Sequence, residues 1–228
     1  MTQRLPGLFD LQVNGFAGVD YNHGEISVED LDASFTTMRQ TGVVGCLPTI
    51  ITSNTEHFSR CAQSLISCGN KLIAGLHMEG PYISPVDGPR GAHDLAHVCD
   101  ASIEDFKVRQ EAAQGQIRLV TLAPEVPGAL ALTEYLAGEG ITIGIGHSSA
   151  DSQHIADAVS AGATHSTHLG NGCFSRMDRH HNSLWPQLAC DTLIPGLIVD
   201  GHHLTQPFVQ SVIKAKTPQG SVLVTDAV

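Results

Sequence analysis

The chain of 228 residues is 42% hydrophobic and 15% charged, enough apolar material for one substantial core. Its net charge of −11, with histidine neutral, excludes the broad basic surface that nucleic-acid binding requires, although a local pocket on an acidic protein can still take a small anion. No apolar run is long enough to cross a bilayer, and Met1 to Pro6 lacks the apolar stretch of an export signal, so a cytoplasmic protein without a membrane partner is expected.

Strand-like and helix-like stretches then alternate. Leu8 to Val13 reads as a strand and Val28 to Gln40 as a helix. Val43 to Ile51, apolar and β-branched, is the next strand, with a helix over Thr55 to Ser67. Lys71 to Met78 is a strand that runs into a long Gly/Pro-rich loop, followed by a helix over Ser102 to Gln114. Ile117 to Leu122 with Ala129 to Ala137, and Ile141 to Ile145 with Ser152 to Ala161, repeat the unit. A short strand at His165 to Leu169 precedes another long loop. Leu197 to Val199, a helix over Thr205 to Lys214 and a strand at Ser221 to Thr225 close the sequence. Eight strands joined mostly by helices predict an α/β fold, a (β/α)8 barrel of TIM type. An open doubly wound sheet is the alternative, but no G-x-G-x-x-G follows a strand. The cysteines form no C-x-x-C pair, which argues for reduced thiols rather than a zinc ribbon.

Asn14, Glu79, His147, His168, His203 and Asp226 all fall at or just past the C-terminal end of a predicted strand. In a barrel these ends converge on the face that carries the active site. Each residue alone has a plainer explanation: Glu79 as a surface loop carboxylate, His147 as a satisfied core histidine, Asp226 as a helix cap. His165 and His168 are three apart, on opposite faces of an ideal strand, so only His168, nearer the strand end, is expected at the site. A carboxylate and two imidazoles suit one catalytic divalent cation. Glu79, His147 and His168 are therefore the expected ligands, with Zn2+ preferred and Fe2+, Co2+, Ni2+ or Mn2+ compatible. Such a cation polarises a carbonyl and lowers the pKa of water toward ~7, and Asp226 is placed to act as the catalytic acid/base.

Six motifs in order, Leu11-Gln12-Val13-Asn14-Gly15, His77-Met78-Glu79-Gly80-Pro81, Gly146-His147-Ser148, Thr167-His168-Leu169-Gly170-Asn171, Val199-Asp200-Gly201-His202-His203 and Val224-Thr225-Asp226-Ala227, resemble the N-acetylglucosamine-6-phosphate deacetylases of the amidohydrolase superfamily. The resemblance covers nearly the whole chain. It implies water attack on an N-acetyl amide, releasing acetate and an amino sugar, with Asp226 moving the proton. It implies one cation rather than two, because Gln12-Val13-Asn14 stands where a His-x-His pair holds the second, leaving Gln12 and Asn14 near the metal. It also implies that His203 meets the substrate beside the scissile amide, that His93 contacts the sugar, and that Asn171 and Gly172 hold the phosphate region through their backbone.

Two departures qualify what the resemblance implies. The His-Arg-x-Pro-Gly run that clamps the sugar phosphate is here Arg179-His180-His181-Asn182-Ser183, so Arg179 and His180 are only candidate substrate contacts. An unphosphorylated N-acyl sugar or another amide is therefore the alternative substrate, and a non-catalytic metal-binding fragment a third reading. Typical members also carry a small β-sandwich built from both chain ends. The expectation here is a single barrel domain over 1–228, incomplete after its eighth strand and lacking most or all of that sandwich, which assembles as a homodimer.

Overall fold

The computed structural model describes residues 6–228. Eight parallel strands form one sheet: β1 (Leu8–Val13), β4 (Val43–Ile51), β5 (Leu76–Glu79), β6 (Ile117–Leu122), β7 (Thr142–Ile145), β8 (His165–Ser166), β9 (Ile194–Ile198) and β10 (Val222–Val224), neighbours in that order. A short antiparallel ribbon, β2 (Gly15–Phe16) with β3 (Val19–Asp20), caps the end of β1. Helices α1 (Val28–Gln40), α2 (Thr55–Ser67), α3 (Ile103–Ala112), α4 (Ala129–Gly138), α5 (Ser152–Ala161), α6 (Leu184–Ala189) and α7 (Gln206–Lys216) lie between strands. The fold is a nearly closed TIM-type barrel, as expected.

Several helices start where the sequence supplies a side-chain acceptor. Ser27 accepts the Asp30 N–H ahead of α1, Asn54 the His57 N–H ahead of α2, and Asp151 those of Gln153 and His154 ahead of α5. The main core fills the space between the sheet and α1–α5, with Leu31, Phe35, Phe58, Leu65, Leu132 and Ile155 facing Val13, Ile50, Met78 and Val120. A smaller cluster, Leu169, Leu197, Leu204 and Val212, packs against α6 and α7.

The sheet closes on itself between β10 and β1. The Asp226 N–H donates to the Gln12 carbonyl (2.9 Å), and the Ala227 carbonyl accepts the N–H groups of Asn14 (2.7 Å) and Gly15 (2.9 Å). Below them Thr225 donates to the buried Asp10 carboxylate, from Oγ1 (2.6 Å) and from its backbone N–H (3.2 Å).

The middle of the barrel interior is polar. Thr49 Oγ1 lies 3.2 Å from His77 Nδ1, His77 Nε2 lies 2.7 Å from Thr121 Oγ1, and Thr121 Oγ1 lies 2.7 Å from Thr167 Oγ1. Two imidazoles, His77 and His165, are buried there. Burial pushes His77 down to about 3 and His165 to about 4, so both are neutral. Gly144 and Gly196 make room for His165: a Cβ on either would lie 3.2 Å from its ring.

Several boundaries differ from expectation for identifiable reasons. The strand expected over Lys71 to Met78 is β5 alone, because Gly75 at φ 154° breaks the extended run and only a single bridge, Cys46 with Ile73, precedes it. The strand expected over Leu197 to Val199 begins at Ile194, running through Pro195-Gly196. The ladder there uses the Ile194 N–H, donated to Thr164, and the Gly196 carbonyl, which accepts Leu169, so it needs no donor from Pro195. The β2–β3 ribbon and α6 carried too little periodicity to be foreseen.

Candidate active site

Glu79 is the last residue of β5, and Gly80 follows at φ 75°. A Cβ on Gly80 would lie 2.1 Å from Thr52 Oγ1, so the turn that ends the strand at Glu79 demands glycine. His147 follows β7 by two residues, and His168 and Asp226 follow β8 and β10 by the same interval. These three adopt left-handed backbone conformations, φ 50°, 29° and 50°. Only Ala17, Gln114 and Thr217 share that property among the described non-glycine residues. Such conformations are disfavoured for any residue with a Cβ and concentrate at functional sites.

The turns bring three donor atoms together. Glu79 Oε1 lies 3.2 Å from His147 Nε2 and 3.0 Å from His168 Nε2, and the two imidazole nitrogens are 3.0 Å apart. All three side chains are buried. Donors about 2.0–2.2 Å from a shared Zn2+ lie roughly 3–3.5 Å from one another, so the spacing fits one small cation. His147 Nδ1 donates to the Pro89 carbonyl (3.0 Å), which leaves its Nε2 lone pair free for the cluster. Burial pushes the Glu79 carboxyl up, but hydrogen bonds and charge from His147 and His168 outweigh it and hold the group well below the usual carboxylate range. Burial lowers His168, and the Glu79 carboxylate more than reverses that. The group could hold a metal ion.

First-strand side chains support this cluster. Gln12 Nε2 donates to Glu79 Oε1 (2.8 Å) and Asn14 Nδ2 to Asp226 Oδ1 (2.6 Å). Burial, then the negative charge of Glu79, raise the Asp226 carboxyl above its ordinary value, opposed by His168 and the Asn14 hydrogen bond. His93 Nδ1 lies 2.7 Å from Thr52 Oγ1 and its Nε2 3.2 Å from His147 Nε2. Burial and the neighbouring His147 push His93 down to about 4, so its ring is neutral.

Asn14, Glu79, His93, His147, His168 and Asp226 line a cleft of about 930 Å³ at the C-terminal mouth of the barrel, together with Asn171, Gly172 and His203. Gly172 closes against the cluster: a Cβ there would lie 2.9 Å from His147 Nδ1. Asn171 turns toward the His168 carbonyl, its N–H donating at 2.9 Å. His203 is exposed at the rim, with Nδ1 2.7 Å from Asp200 Oδ2. The N–H groups of His202 and His203 hold the Asp200 carboxyl well below the usual range.

Arg179 and His180 lie elsewhere. Both are exposed, in a loop organised by Asp178, whose Oδ1 accepts the N–H groups of His180 and His181. Neighbouring Arg176 and His181 line a separate cleft of about 530 Å³ beside the start of α5. His168 rather than His165 joins the cluster, as expected, though opposite strand faces are not the cause. β8 ends at Ser166, and the left-handed turn at His168 aims its ring. Missed altogether were the Pro89 carbonyl and Glu125, each of which acts through a loop contact that no local pattern announces, while Asp200 was named only as part of a motif, without its contact to His203.

No protein-family model matches the chain. Among curated proteins it is similar to the N-acetylgalactosamine-6-phosphate deacetylase of Shewanella sp. (strain ANA-3), 33% identical over 98% of this chain and 56% of the relative. It is also similar to the N-acetylglucosamine-6-phosphate deacetylases of Bacillus subtilis (32%) and Homo sapiens (33%), each over 98% of this chain and 57% of the relative. The chain thus spans somewhat over half the length of these relatives. Among solved structures, the N-acetyl-D-glucosamine-6-phosphate deacetylase of Mycobacterium smegmatis superposes with a TM-score of 0.89 at 27% identity, over 98% of this chain and 63% of that one. The enzyme from Pasteurella multocida gives 0.86 at 30% identity, over 97% and 58%.

Proposed function

We propose that this chain, a relative of the N-acetylglucosamine-6-phosphate deacetylases, forms the catalytic barrel of a metal-dependent amidohydrolase that removes the acetyl group of an N-acetylhexosamine 6-phosphate. The observation that carries the reading is the convergence of Glu79 Oε1, His147 Nε2 and His168 Nε2 at the barrel mouth. These residues would hold one divalent cation, Zn2+ by preference among ions that accept N/O donors. Bound there, it would supply Lewis acidity, polarising the amide carbonyl and making water a better nucleophile.

The protein's own groups do the rest. Asp226 accepts a proton from the attacking water as oxygen bonds to the carbonyl carbon. It then delivers that proton to the amide nitrogen as the C–N bond breaks, leaving the free amine and acetic acid, which loses its remaining proton to water as acetate. Asn14 fixes the orientation of Asp226, and Gln12 that of Glu79. His203, at the rim of the cleft, would meet the substrate beside the scissile amide, and His93, Asn171 and Gly172 line wall that the sugar would contact. Assembly as a homodimer belongs to the same reading, tested by sedimentation.

The test is metal content and turnover together. The zinc-loaded chain should hold one ion and release acetate from N-acetylglucosamine or N-acetylgalactosamine 6-phosphate. Glu79→Ala should lose the ion, whereas Asp226→Asn should keep it and lose about 10²–10⁴-fold in kcat. An Asp226→Asn variant with full turnover defeats the assignment of the proton shuttle.

One observation favours a second reading of the substrate. Asp20, Asp200 and Asp226 line the cleft, and no Arg or Lys is among its described lining residues. An unphosphorylated N-acyl sugar suits such a wall better than a dianion does. Equal kcat/KM for phosphorylated and plain N-acetyl sugars would favour that reading.

A further inference from the structure

We propose that Glu125 is a positioning residue for His147, an assignment that rests on the reading of Glu79, His147 and His168 as cation ligands. Glu125 lies in the loop after β6, and its carboxylate reaches across to the turn that follows β7. Its Oε2 accepts Ser148 Oγ (2.7 Å), and its Oε1 accepts both the Ser149 N–H (2.6 Å) and Ser149 Oγ (3.0 Å). The two residues after His147 are therefore held by one carboxylate. From the other side the Ser84 N–H donates to the His147 carbonyl at 2.9 Å.

The grip matters because His147 itself stands at φ 50°, where a residue with a Cβ stays only if its surroundings fix it. With the backbone fixed on both sides and Nδ1 donating to Pro89, the one ring atom left to act is Nε2, 3.2 Å from Glu79 Oε1. Two plainer roles for Glu125 do not fit. Among the described residues no Lys, Arg or His forms a salt bridge with it. Nor does it cap α5, whose first turn Asp151 already serves.

The test measures zinc affinity by chelator competition, with thermal midpoints of the metal-free and zinc-loaded forms, for the parent chain, Glu125→Ala, Glu125→Gln and Ser149→Ala. Partners that orient a ligand typically contribute about 10–100-fold to metal affinity. Glu125→Ala should bind zinc about 10–100-fold more weakly, with its metal-free midpoint close to the parent's and its zinc-induced rise reduced. Glu125→Gln should recover most of the affinity, because its amide oxygen still accepts from Ser149 and its NH2 can donate to Ser148 Oγ. Ser149→Ala, which removes one contact of the three, should lose less than Glu125→Ala. Parent-like affinity in Glu125→Ala overturns the assignment alone. A metal-free midpoint that falls in step with the affinity, with no recovery in Glu125→Gln, overturns it in favour of a purely structural role. A parent chain that takes up no zinc overturns the cation reading, and this assignment with it.

Discussion

Asp226 stands between opposing influences. Burial and the Glu79 charge favour its neutral form, whereas His168 and the Asn14 amide favour the carboxylate. In the proposed reaction it must be ionised to accept a proton from water, so activity should fall as pH drops through its pKa. kcat/KM should therefore show an acid limb that reports this carboxyl, and a bound cation would hold that limb below the raised value of the metal-free protein. Asn14→Ala withdraws a donor that stabilises the carboxylate and should move that limb to higher pH. A limb that stays put, or moves down, in that variant would detach Asn14 from the chemistry. Much of this residue-scale picture was legible beforehand, since Glu79, His147, His168 and Asp226 each sit where an apolar run stops. What the sequence does not display is the left-handed backbone at three of them, nor the contacts of Glu125 and Pro89 with a turn far along the chain.

At the level of elements, β1, β4 and β6 and helices α1, α2 and α5 begin and end where periodicity and capping residues indicate. Asn54 accepts the His57 N–H at 2.8 Å, so Asn54→Ala should cost about 1 kcal/mol, seen as a lower denaturant midpoint with unchanged slope. The β5 and β9 boundaries were less legible because Gly75 interrupts one run and Pro195-Gly196 imitates a turn inside the other. The seam between β1 and β10 rests on Asp10, which no pattern singled out. Burial raises its carboxyl against the opposing hydrogen bonds from Thr225 and Gln12. A folded-state pKa above the unfolded one gives stability that is full below about 3.8 and is lost as pH rises through the folded value. Asp10→Asn keeps one acceptor for the Gln12 and Thr225 N–H groups, and its NH2 can donate to Thr225 Oγ1, without the ionisation. Its thermal midpoint should gain on the parent's as pH rises through that window, and parallel curves would count against the argument.

For the molecule as a whole, eight β/α units set the barrel, and the barrel gathers polar residues from the ends of six strands, β1, β5, β7, β8, β9 and β10, at a single mouth. The same closure encloses His77 and His165 as neutral imidazoles, at about 3 and about 4 against 6.5 for a free side chain. Below pH 6.5 these two rings, and His93 with them, take up protons in the unfolded chain that the folded one refuses, so stability declines as pH falls from 6.5 toward 4. That slope runs opposite to Asp10's and involves three groups. For anyone handling the protein, acidic elution from an affinity resin or crystallisation in citrate would drive the axial rings to charge. The harm would begin at the centre of the molecule, as a cooperative loss of the fold, and would add to any fall in turnover at its mouth.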